Sequence, residues 1–128
     1  MSEQKRSISV NDRLIEINKE LQTFYIEAGN ISAFSYNLKS ILENLREFIN
    51  VIEPILGEEG KHKTAQFKDH INVIIEGHVK REYDNIPYWE ANKFLSWAKK
   101  DASTLCFDIA QICGNYPFNI LNKVIEVV

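Results

Sequence analysis

From Ile31 to Ile55 an apolar residue returns every three or four positions: Ile31, Phe34, Leu38, Ile41, Leu45, Phe48, Ile52 and Ile55. That spacing follows the turn of an α-helix, whereas a strand would scatter the same side chains over both of its faces. Leu42, Ile49 and Leu56 widen the stripe, so a helix over 31–56 needs two or more neighbours to cover it. The rest of the chain therefore has to supply further amphipathic elements. Pro54 is expected to kink or end this helix, because proline removes a helical hydrogen bond and clashes with the preceding turn.

The expected neighbours are helices. Val10, Leu14, Ile17, Leu21, Phe24 and Ala28 form one helical face, which predicts a helix over 10–28 capped by Ser9 or Asn11. Gly29 is a candidate left-handed C-terminal cap and Asn30 the next N-cap. The register also continues through Ile31, Ser35, Leu38 and Leu42, so one long helix over 10–56, a coiled-coil device, is the alternative. Gly29-Asn30 and the polar Ser35 favour two helices. "GEEG" at 57–60 reads as a loop, followed by a helix over 61–83. In "DNIPYW" Asp84 or Asn85 is a candidate cap, with Pro87 in the first turn of a helix over 87–113. That helix has the seam Ala91, Leu95, Ala98, Ala102, Leu105, Ile109 and Ile112, and Gly114-Asn115 as its stop. In the tail, Phe118, Leu121, Val124, Ile125 and Val128 share a helical face, which predicts a short helix over 117–127. "VIEVV" also reads as a strand, but no second convincing strand offers itself as a partner. The expected architecture is all-α: a single domain over 1–128, an up-and-down bundle of four long helices plus a short C-terminal helix.

Composition narrows the function classes. The 128 residues are 45% hydrophobic and 26% charged with a net charge of −3, an ordinary globular balance. The resulting pI of about 5.6 gives no global positive field for a phosphate backbone, so nucleic acid is not the expected partner. "MSEQKRSISV" lacks the apolar run of a signal peptide, and no stretch approaches the roughly 20 apolar residues of a membrane span. The expectation is a cytoplasmic protein without a membrane role. On one helix Cys106 and Cys113 would lie about 10.5 Å apart along the axis, too far for a disulfide, and they read as small core residues. The frequent Ile, Asn and Lys point to an AT-rich, bacterial or phage-borne source.

All three histidines fall in "HKTAQFKDHINVIIEGH", at His62, His70 and His78. With about 100° per residue they fan around a helix, with about 12 Å of rise between successive rings. They cannot share one zinc ion, whose nitrogen ligands sit about 2.0–2.1 Å away. His78 points to the apolar face of Phe67, Ile71, Ile74 and Ile75, where the simplest role is a hydrogen-bonded core residue. Glu59 and His62 have the Glu-x-x-His spacing of di-iron bundles. Such a site needs a second copy and inward glutamates, whereas Glu43 and Glu47 fall on the polar side. No metal or cofactor is expected.

No glycine-rich phosphate loop, nucleophile elbow or Cys-x-x-Cys is present. In size and helical class the chain resembles the small helical ribonucleases of the HEPN type, common in prokaryotic toxin and defence systems. That family carries an Arg followed four to six residues later by a His. Here Arg81 follows His78 instead, in "HVKRE", so the resemblance implies a degenerate, non-catalytic relative. His78 and Arg81, with Lys80 and Tyr83 beside them, are the candidates for any chemistry.

Off the alanine–leucine seam of the helix over 87–113 lie Trp89, Trp97 and Phe107. Phe107 is aligned with Trp89, and Trp97 is turned about 80° away. Lys93 and Lys100 lie among them. Either another helix covers these rings, or Trp89, Lys93, Trp97, Lys100 and Phe107 form a binding face, since aromatic residues dominate protein interfaces. The expected function is a non-enzymatic protein–protein interaction module, acting as a homodimer or as the partner of a larger protein.

Overall fold

The computed structural model describes residues 4–23, 31–79 and 86–127. In chain order these form β1 (Arg6–Ser9), α1 (Val10–Thr23), α2 (Ile31–Ile74), a π-helical turn (Ile75–Val79), α3 (Tyr88–Gly114) and β2 (Val124–Val127). The all-α class holds, with a small two-stranded ribbon added.

α2 is not straight. Gly57 has φ 71° and ψ −163°, and there the chain turns back on itself. Lys68 Nζ donates to Glu53 Oε2 at 2.9 Å, and Arg46 Nη1 donates to Asn72 Oδ1 at 2.6 Å. In a straight helix residues 46 and 72 would stand about 39 Å apart. The arms 31–56 and 58–74 are thus antiparallel, and Ser35 Oγ closes their open end on the Val79 carbonyl at 2.6 Å. The expected loop over 57–60 is corrected to a reversal at Gly57 alone, and in place of four separate long helices the described residues form three, the second folded into two arms at that glycine. Gly60 sits in the tight inner corner, where a Cβ would meet Leu56 Cβ at 2.4 Å.

α1 is antiparallel to the first arm. Arg13, near its start, lines a common cleft with Phe48 and Val51, which excludes a single straight helix over 10–56. Residues 24–30, including Phe24, Ala28 and the Gly29-Asn30 pair, lie outside the described residues. Of the two candidate caps, Ser9 is used: its Oγ accepts the Asp12 N–H at 3.0 Å. The next orphan amides of the helix start go to the C-terminal segment, Val10 N–H to the Lys123 carbonyl and Asn11 N–H to the Leu121 carbonyl, both 2.9 Å.

That same segment overturns the expected helix over 117–127. After Gly114 the chain makes turns through Asn115 and Asn119, the latter at φ 46°, a left-handed conformation that asparagine tolerates. Val124–Val127 then pairs antiparallel with Arg6–Ser9, Ile125 opposite Ile8 and Val127 opposite Arg6. Burial alternates with the strand period: Ile125 and Val127 are buried while Val124 is 68% exposed.

One hydrophobic cluster takes residues from α1, both arms of α2, the π-helical turn, α3 and β2. The three seam alanines, Ala91, Ala98 and Ala102, are fully buried, so α3 approaches its neighbours closely. Pro87 is the residue before the first turn of α3, at φ −58° and ψ 148°, one position earlier than expected.

Candidate interaction surface

α3 buries one face and leaves the opposite one bare. Trp89 is 67%, Trp97 45% and Phe107 63% exposed; Lys93 and Lys100 are exposed beside them. No other part of the described chain covers the three rings, so their place off the core seam is a surface place. They do not form one cluster, because Trp89 and Phe107 are separated by about 27 Å along the helix axis.

Each aromatic has its own setting. Lys93 Nζ lies 4.9 Å from the Trp97 ring centroid, a cation–π distance that orders both side chains. Phe94 meets the edge of Trp97 at 5.7 Å between centroids and an interplanar angle of 82°. Behind it His78 stacks on Phe94 at 6.3 Å and 23°. An aromatic relay therefore runs from the π-helical turn to the surface. Phe107 instead borders a groove of about 250 Å³ against α1, lined by Ile15, Leu14, Ala110 and polar neighbours, none of them charged. Ile15 is 55% exposed and extends the apolar surface onto α1. Ser103 pins the two helices, accepting from Gln22 Nε2 at 3.0 Å and donating to Asn18 Oδ1 at 3.2 Å.

Ile15 and Phe94 were not singled out by sequence. Ile15 is the one large apolar residue of α1 off its seam, and that signal was available. Phe94, beside the seam residue Leu95, has no comparable mark.

The titratable candidates disperse. His62 and His70 are exposed, with His62 Nε2 at 3.2 Å from Gln66 Nε2; His78 is half-buried. Arg81, Lys80 and Tyr83 lie outside the described residues. Glu43, Glu47 and Glu59 are exposed, and Glu53 is held by Lys68, whose hydrogen bond lowers its carboxyl below the ordinary range. Among the described residues no three His, Cys, Asp or Glu side chains are grouped to hold a metal ion. Burial pushes the Cys106 thiol up to about 12 and that of Cys113 up to about 11, so neither is a ready thiolate. Among the described residues no helix is long and apolar enough to cross a membrane. Compared with known proteins, the chain matches no family model, no characterised protein sequence and no solved structure.

Proposed function

We propose that this chain is a non-enzymatic, cytoplasmic interaction module of prokaryotic or phage origin. It works as a homodimer or as the partner or regulatory subunit of a larger protein, through Trp89, Lys93, Trp97, Lys100 and Phe107. One observation carries the reading: α3 exposes three large aromatics along its outer face while its small residues fill the core. Isolated exposed apolar residues are ordinary on any surface. Three rings on one helix, one of them continued by Ile15 across a charge-free groove, make a surface that gains by being covered. Lys93 and Lys100 supply a polar rim, as interfaces require.

The test is a double substitution, Trp89→Ala with Phe107→Ala, at two exposed positions whose loss leaves the core intact. Mass by light scattering should rise with concentration for the native chain and stay near 14.9 kDa for the variant, since aromatic anchors contribute about 2 kcal/mol or more each. A native chain that remains monomeric rejects the homodimer form. The partner form then stands on a photo-crosslinker placed at Trp97, which should give a discrete adduct in cells where one at the exposed Tyr36 gives none. No adduct at Trp97 rejects the module altogether.

A further inference from the structure

Gly57 divides the molecule into two complementary halves. On one side lie β1, α1 and residues 31–56; on the other, residues 58–79, α3 and β2. The main contacts cross this division: Arg46 to Asn72, Glu53 to Lys68, Gln22 to Ser103, and the whole β1–β2 ladder. The covalent link between the halves at this point is one residue, since helix runs up to Gly57 and resumes directly after it.

Two glycines permit the reversal, each for its own reason. Gly57, at φ 71° and ψ −163°, occupies a region that is essentially closed to residues with a Cβ. At Gly60 the obstacle is contact, because a Cβ there would meet Leu56 Cβ at 2.4 Å. A straight helix imposes neither demand. At ordinary helical dihedrals any L-residue fits position 57, and Cβ atoms four residues apart stand about 5–6 Å from one another. Straightened, the 44 residues from Ile31 to Ile74 become a rod about 66 Å long. Each half then needs its complement from another molecule.

We infer that Gly57 is the hinge of a domain exchange whose partner is a second copy of this chain. In the exchanged dimer α2 runs on as helix through position 57, bent at most where Pro54 already sits inside it, and the N-terminal half of each copy packs on the C-terminal half of the other. Every contact named above is re-formed between chains, and only the hinge differs. Because the contacts cancel, the balance at a given protein concentration is set by the conformation of two residues against the entropy lost on association, as where a tight hinge separates swapped elements. The native glycines hold each protomer closed on itself; a side chain at either position favours the open rod.

The experiment compares Gly57→Ala and Gly60→Ala with Gly77→Ala, where a Cβ meets nothing within 4 Å. Each is made with Arg46→Cys and Asn72→Cys and bridged by a bis-maleimide; Cys106 and Cys113 are buried. Gly57→Ala and Gly60→Ala should double the mass in light scattering and give covalent dimers on a denaturing gel. Gly77→Ala should match the native glycines, with the bridge inside one chain. Folded monomers at positions 57 and 60 overturn the inference, as do dimers whose bridge stays within one chain. Loss of helical circular dichroism in both variants overturns it too, because the exchanged dimer keeps every core contact. A dimer through the α3 aromatics leaves the bridge within one chain, so the two proposals fail separately.

Discussion

Glu16 serves two guanidinium groups. Its Oε1 accepts from Arg6 Nη2 at 2.6 Å and from Arg13 Nη1 at 3.2 Å, and the Arg6 hydrogen bond is the main reason its carboxyl titrates below the ordinary range. A carboxylate depressed by folding adds stability above its unfolded value, about 4.3, and that stability is lost as pH falls through the folded value. The Glu16 side chain is 37% exposed, so screening limits the contribution to about 1 kcal/mol or less. Arg13 is the less exposed of the two, its side chain at 12% against 48% for Arg6, and its Nε is buried without a hydrogen-bond partner among the described residues. Glu16→Gln should lower Tm near neutral pH and leave it unchanged at a pH well below the folded value. An equal loss at both would mean that packing, not charge, is at stake. His78 tests the other kind of residue. Its ring lies on Phe94, and His78→Gln should cost about 1 kcal/mol in chemical denaturation. A folded His78→Gln protein that loses an RNA-cleaving activity would instead restore the catalytic reading.

The elements were legible in proportion to their length. The stripe from Phe34 to Ile52 is buried as its spacing demands, and so is the alanine–leucine seam of α3 from Ala91 to Ile109, whereas Ile112 at its end is only half-buried and Cys113 takes the core place. Both run for many turns, and a 3.6-residue period is unmistakable over that span. The ribbon was not legible. Four residues, "RSIS", show no period, and Ile8 is their one apolar side chain. In the tail a helical face and a strand alternation explain nearly the same apolar residues. Val124 separates the two, for a helix buries it with Ile125, whereas the ribbon exposes it. Val124→Lys should therefore leave thermal stability within about 0.5 kcal/mol, while Ile125→Ala should cost about 2 kcal/mol or more. Similar losses at both would return the segment to the helical reading. "GEEG" marks a break in the sequence but not its length, because a glycine pair suits both a loop and a tight corner, and contact alone distinguishes them.

At the scale of the whole molecule, the candidate surface was half visible. An amphipathic pattern says which rings leave the core seam of their own helix, but not whether another helix covers them. That depends on where neighbours pack, and here the tail becomes a ribbon instead of a covering helix. The same ribbon fixes how the molecule responds to load. Arg6 is paired with Val127, so the two ends of the described chain leave one end of one ladder side by side. A pulling force applied there meets the cross-strand hydrogen bonds one pair at a time, as a zipper does, rather than sharing the load among them. The next bonds in line are those from Val10 and Asn11 to the Lys123 and Leu121 carbonyls, which hold the first turn of α1. Traction on these two ends thus opens the ribbon first and frays α1 second, and the folded α2 hairpin carries no load until both have given way.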